Sequence, residues 1–98
     1  MGWSCEFDAE LWEWDAAPEA TSWVFLTVPE EETEEIRLRS GPVRGFGSVR
    51  VEVTIGATTW RTSVFPDRRG YALPLKKAVR RAESLEVGDP ARVTLVLL

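Results

Sequence analysis

The sequence predicts a small, mainly β barrel of six strands with two short helices and a pseudo-twofold internal repeat, all in one domain spanning residues 1–98. Three observations lead there. Most of the chain falls into short stretches of alternating apolar and polar residues, the period-2 mark of strands buried on one face. The two stretches that depart from alternation follow Pro29 and Pro74 and carry helical patterns. The order strand, apolar residue and proline, helix, glycine turn, strand then occurs twice, once around Val28-Pro29 and again around Leu73-Pro74 with Gly88-Asp89. Two like halves of this kind close around a pseudo-twofold as a small barrel.

Residues 4–14 set Cys5, Phe7, Ala9 and Leu11 against Glu6, Asp8, Glu10 and Trp12, which predicts a half-buried first strand. Residues 15–21 (DAAPEAT) read as a turn-forming loop, and residues 22–28 (SWVFLTV) are aromatic and β-branched, a second strand in hairpin with the first. Pro29 stops that strand and suits the first turn of a helix, with Glu30, Glu31 and Glu32 at its positive end and Arg37 and Arg39 near its negative end. Gly41-Pro42 ends the helix, which offers mainly Ile36 for burial and so depends on tertiary packing.

Residues 48–55 (SVRVEVTI) and 58–65 (TTWRTSVF) alternate cleanly, and Gly56-Ala57 between them fits a two-residue hairpin turn. That turn predicts Val49 opposite Val64, Val51 opposite Thr62 and Val53 opposite Trp60 on the inner face, with Arg50 opposite Ser63 and Glu52 opposite Arg61 outside. A slip of one residue would place the valines in water. Residues 66–70 read as a loop and residues 71–73 as a short strand ended by Pro74. Leu75, Ala78, Val79, Ala82 and Leu85 then recur at helical spacing, with Lys76, Lys77, Arg80 and Arg81 opposite. Residues 87–90 (VGDP) make an exit turn, and residues 92–98 form a strand too apolar for an exposed edge.

A composition of 44% hydrophobic and 29% charged residues is that of a soluble globular chain able to bury a core without metal or disulfide staples. Cys5 is the only cysteine, so no intramolecular disulfide forms and a reducing compartment is expected. No apolar run approaches the roughly 18 residues of a membrane span. The first ten residues lack the basic and apolar regions of a signal peptide, and Glu6 stands where a myristoylation motif has Ser or Thr. The expected location is cytoplasmic, the expected state a monomer without cofactor, and ten arginines among twelve basic residues point to a GC-rich bacterial genome. The net charge of −4 conceals an asymmetry: residues 1–36 hold eleven acids and no base, whereas residues 37–98 hold all twelve bases and five acids. Either the halves neutralise each other on packing, or the surface is bipolar and steers an anionic partner to one side.

Several segments together resemble one bacterial family, the domain of unknown function 1905: residues 7–11 (FDAEL), Trp23-Val24-Phe25 leading to Val28-Pro29, and residues 45–51 (GFGSVRV). Residues 60–63 (WRTS) with Phe65-Pro66, Tyr71 with Leu73-Pro74, and Gly88-Asp89 complete the resemblance over nearly the whole chain. It implies a split β-barrel similar to the swapped-hairpin barrels of AbrB/MazE type, made here within one chain. The order Leu73-Pro74, helix, Gly88-Asp89, Val93 is also that of the AbrB-type DNA-binding unit. The family carries no established catalytic residues, so the resemblance assigns none.

The residues themselves give enzyme chemistry little support. The chain has no histidine, which removes the commonest general base and metal ligand. Cys5 lies on the apolar face of its strand without a base, and Ser48 and Ser63 lack one too. The carboxylates Asp8 and Glu10, and those from Glu30 to Glu35, read as solvated faces and helix-end charges, leaving carboxylate catalysis in a barrel mouth as a remote alternative. Gly41, Gly45 and Gly47 follow a helix and open a strand, the reverse of a phosphate loop, so neighbouring Arg44 is only a weaker anion candidate, as is Arg50. Trp12 and Trp14, beside acids, suit protein contact better than base stacking. The main candidate is the basic group Arg68, Arg69, Lys76, Lys77, Arg80 and Arg81. The expectation is a non-enzymatic binding module for a protein or small anion. The alternative is AbrB-like nucleic-acid binding through the basic second helix, disfavoured by a sequence pI near 4.9.

Overall fold

A computed structural model describes residues 3–14, 23–41 and 47–98, so the predicted loop at residues 15–21 and Arg44 lie outside the described residues. The elements are β1 (Ser4–Glu10), β2 (Trp12–Trp14), β3 (Trp23–Thr27), α1 (Glu30–Ser40), β4 (Val49–Ile55), β5 (Thr58–Asp67), β6 (Gly70–Pro74), α2 (Lys77–Ala82) and β7 (Pro90–Leu97). The strands form one antiparallel sheet in the order β1-β7-β4-β5-β6-β3-β2. Its two outermost strands, β1 and β2, are separated in the chain by Leu11 alone. A sheet whose opposite edges are consecutive pieces of one strand has to curl back on itself, which gives the barrel-like shape.

The six predicted strand paths therefore appear as seven segments. The first path is interrupted where Leu11 leaves the ladder: its N–H donates to the Asp89 carbonyl (3.0 Å) and its carbonyl accepts from the Gly88 N–H (2.8 Å). Before Leu11 the path pairs with β7, after it with β3. β5 makes the same exchange of partners without a break, pairing with β4 up to Val64 and with β6 from Phe65 onward. The β4–β5 register is the predicted one at all five positions, including Val53 opposite Trp60 and Glu52 opposite Arg61. β7 runs between β1 and β4, in keeping with its apolar sequence.

The internal repeat is visible in the hydrogen bonding. Leu26 of β3 pairs with Leu73 of β6, both fully buried. On either side of that pair, the Val28 N–H donates to the Tyr71 carbonyl and the Leu75 N–H to the Val24 carbonyl, each at 2.9 Å. Exchanging the halves converts one bond into the other.

Two predictions need correction. The loop at residues 66–70 is narrower, since β5 continues through Pro66 to Asp67 and only Arg68 and Arg69 form the turn. Pro66 is tolerated because β5 has already left β4 and needs no second neighbour there. Asp67 Oδ1 accepts the Arg69 N–H at 2.8 Å and closes the turn. The second helix is also shorter, six residues instead of the full run from Leu75 to Leu85. Leu75 is held in the sheet by its bond to Val24, and Ser84 adopts a left-handed φ of 55° just past the helix end. Ala78 and Ala82 are consequently exposed, while Val79 and Leu75 remain in the core.

The first helix matches its prediction: acids in the first turn, Arg37 and Arg39 in the last, paired with Glu34 and Glu35, and Ile36 fully buried. Thr33 is buried too and packs onto Gly70, whose φ is +134°. A Cβ built at Gly70 would stand 2.7 Å from Thr33 Oγ1. No helix among the described residues is long and apolar enough to cross a membrane.

Gly70→Ala is expected to lower stability by about 1–3 kcal/mol in urea denaturation, from backbone strain plus the clash. Adding Thr33→Ala should return the clash component only. Cys5 offers a second check. Burial, with a smaller contribution from Glu32, pushes its thiol up to about 11 from the ordinary 9.0. At pH 8 the folded protein should react with a thiol reagent roughly 100-fold more slowly than the unfolded chain, since two pKa units cut the thiolate fraction by that factor. The stability gained by keeping the thiol neutral is complete below pH 9 and is lost as pH rises through about 11.

Candidate functional site

The exchange of partners along β5 leaves a gap. Trp60, Arg61 and Thr62 pair with β4 on one side only, because β6 joins β5 further along. The end of β6 and the start of α2 border the gap from the other side, and β3 contributes Trp23 and Val24. The result is an open cleft of about 640 Å³, in the range of small-molecule sites. The C-terminal end of α2 is tied to β5 by the Thr58 hydroxyl, which donates to Glu83 Oε2 at 2.5 Å.

Three of the six predicted basic residues line this cleft: Lys76, Lys77 and Arg80. Arg61 joins them, in an exposed ion pair with Glu52 at 3.3 Å. The Arg80 Nε–H donates to the Leu75 carbonyl at 3.1 Å, which anchors the guanidinium at one corner. No hydrogen bond among the described residues uses its Nη atoms. Among the described residues, Lys76, Lys77 and Arg80 have no ion pair and the cleft lining contains no Asp, Glu or Tyr. Arg80, which helical spacing places opposite the apolar face, is half-buried, because the same anchoring bond turns it toward the barrel.

The walls are aromatic. Trp60 packs against the core, as its inner-face register predicts, yet it is only half-buried and its remainder faces the cleft. Trp23 stacks on Phe25 with ring centroids 6.4 Å apart and stays 51% exposed.

The other predicted residues lie elsewhere. Arg68 and Arg69 sit at the opposite end of β6, about 17 Å away at ~3.3 Å per strand residue. Arg69 lies over the Trp12 ring, 4.4 Å from its centroid. Trp12 is half-buried, stacked on Phe25 at 5.1 Å, with its Nε1–H donated to Thr27 Oγ1 at 2.8 Å. Trp14 is exposed, paired across the ladder with Trp23. Arg81 and Arg50 are exposed and do not line the cleft. Part of the first half's acid is answered by Arg92, bonded to Glu6 and Asp8 at 3.1 Å each, and these partners raise its pKa. No group of three or more Cys, Asp or Glu side chains suited to a metal occurs among the described residues.

Comparing the two halves isolates what is special here. Thr33 occupies in the first half the place that Arg80 has in the second, and its Oγ1–H donates to the Val28 carbonyl at 3.1 Å, as the Arg80 Nε–H does to Leu75. Around Thr33, Gly70 stands where the Arg80 position has Trp23, and Phe7, opposite Val93, stands where that position has Trp60, opposite Val53. Thr33 on Gly70 and buried Phe7 fill the first-half position with small or apolar groups. The position around Arg80 has two tryptophans and an anchored arginine instead. Sequence reasoning missed Trp23, Trp60 and Arg61 as wall residues, and this difference between the repeats is the signal that marks them.

No curated protein matches the chain. One family profile, described as Domain of unknown function (DUF1905), matches residues 7–95, a span that runs from β1 to β7 and includes both halves of the barrel. The chain belongs to that family, the domain of unknown function DUF1905.

Proposed function

We propose that the protein is a non-enzymatic binding module that takes a small anion in the cleft between β5 and α2. One observation carries this reading: Arg80, anchored through Nε, converges with Lys76 and Lys77 on an opening whose lining has no carboxylate among the described residues. In a chain of net charge −4 that is a local reversal of sign, and a concave, partly apolar wall strengthens the field inside it. The guanidinium presents its Nη edge as a fork suited to carboxylate or phosphate. The absence of histidine from the chain, and of Asp, Glu and Tyr from the described lining residues, supports binding over acid–base chemistry. AbrB-like nucleic-acid binding has less support, since Arg68, Arg69 and Arg81 stand apart from the group that converges.

Calorimetric titration with inorganic phosphate at low salt tests the proposal. Wild type is expected to bind, with affinity falling as salt rises. Arg80→Thr should weaken binding at least about ten-fold, the effect of losing one charge-assisted bidentate contact. Its melting temperature should hold, because Thr33 shows that a threonine hydroxyl satisfies the equivalent carbonyl. No heat from wild type, or equal affinity in a folded Arg80→Thr protein, would sink the reading. Salt-sensitive retention on duplex DNA that survives Arg80→Thr but is lost on changing Arg68, Arg69 and Arg81 to Ala would favour the nucleic-acid alternative instead.

A further inference from the structure

We infer that the anion this cleft takes is carried on a flat aromatic ring, with the ring against Trp23 and Trp60 and the anionic group on the Nη edge of Arg80. The inference rests on the small-anion reading above and adds the rest of the ligand. A site for a bare inorganic anion needs donors alone, and about 640 Å³ with two indole walls is far more than such an ion fills.

Both walls are already held in place. Trp23 is seated on Phe25 in a near-parallel stack, 13° between planes, and paired through β3 with Trp14, so its exposed portion belongs to a ring that has little freedom left to lose. Trp60 is braced by the core beneath it. Arg80 is likewise pinned by the Leu75 carbonyl. Three preorganised groups on three elements thus line one opening, two of them indoles and one a guanidinium held through Nε. A planar ring bearing a carboxylate or phosphate satisfies all three at once, through stacking, through cation–π contact and through a bidentate ion pair. The comparison of halves agrees. The first half, with Gly70, Phe7 and Thr33 at the same three places, has neither ring nor fork facing an opening.

The test is titration calorimetry on the full chain with five probes: 2-naphthoate, 2-naphthyl phosphate, 2-naphthalenemethanol, acetate and inorganic phosphate. At least one naphthyl anion is expected to bind about ten-fold or more tighter than both the uncharged alcohol and its own ringless counterpart, in keeping with aromatic and charge-assisted contacts adding. Comparison of the two naphthyl anions tells a carboxylate head from a phosphate head. Trp23→Leu, at a half-exposed position, should remove the preference for the naphthyl anion over its ringless counterpart; Arg80→Thr should remove its preference over the alcohol. Ringless anions binding as tightly as their naphthyl forms would overturn this inference and leave the small-anion reading standing. The alcohol binding as tightly as the anions would overturn it as well, by reducing the cleft to an apolar hollow. Failure of all five probes would overturn both.

Discussion

The reciprocal hydrogen bonds that flank Leu26 and Leu73 are the constraint on which the rest of the molecule depends. The Val28 N–H reaches across to Tyr71, and the Leu75 N–H reaches back to Val24. Each bond holds the residue just before a helix N-cap, so each helps to set where that helix begins. Because the two bonds are interchanged by the pseudo-twofold, one local pairing places α1 and α2 at equivalent stations on the barrel. The carbonyls of Val28 and Leu75 then face the first turn of their own helices, and each accepts a side-chain donor from the residue five positions on. The fold thus creates one acceptor twice and lets two different side chains answer it.

Those two answers divide the work of the molecule. In the first half a threonine satisfies the carbonyl with a compact hydroxyl and fits onto a glycine, so the position is closed by packing. In the second half an arginine satisfies it with one nitrogen of three and carries the surplus outward. Neither choice leaves a buried side-chain polar atom without a partner among the described residues. A structural requirement met by an over-long, multivalent group is an economical way to hold a charge in a fixed place, because the anchoring entropy is lost on folding and not on binding.

The hairpin was legible in the sequence to the residue. Valines 49, 51, 53 and 64 alternate without a fault, and Gly56-Ala57 admits one turn length, so period and turn chemistry agree on a single register. Pro29 located the start of α1 for the same reason, since it acts locally, whereas α2 begins at Lys77 and not directly after Pro74. What failed depended on partners distant in the chain. Leu75 has the spacing of a helical residue, and only its bond to Val24, far away in sequence, keeps it extended. The cleft was out of reach for a related reason. Lys76, Lys77, Arg80 and Arg81 look equivalent on a helical wheel, whereas the Leu75 carbonyl selects Arg80 alone. Trp60 was placed on the inner face, and it is there. Periodicity gives a side chain's face but not whether the neighbouring strand continues alongside it, and at Trp60 it does not.

The seam at Leu11 has one more consequence, which concerns the order of synthesis. β1 leaves the ribosome before its ladder partner β7, and the two are far apart in the chain, with Ser4 ultimately opposite Val96. Pairing of such distant segments is slow, because a long loop must close before any contact rewards it. During that interval β1 is an unsatisfied strand, the kind of edge on which neighbouring chains nucleate aggregates. Its outward residues Glu6, Asp8 and Glu10 are all acidic and exposed, a row of like charges that repels the same strand on another nascent chain. Arg92 arrives with β7 and takes up Glu6 and Asp8. The acids that guard the waiting strand thereby become part of the bond that ends the wait.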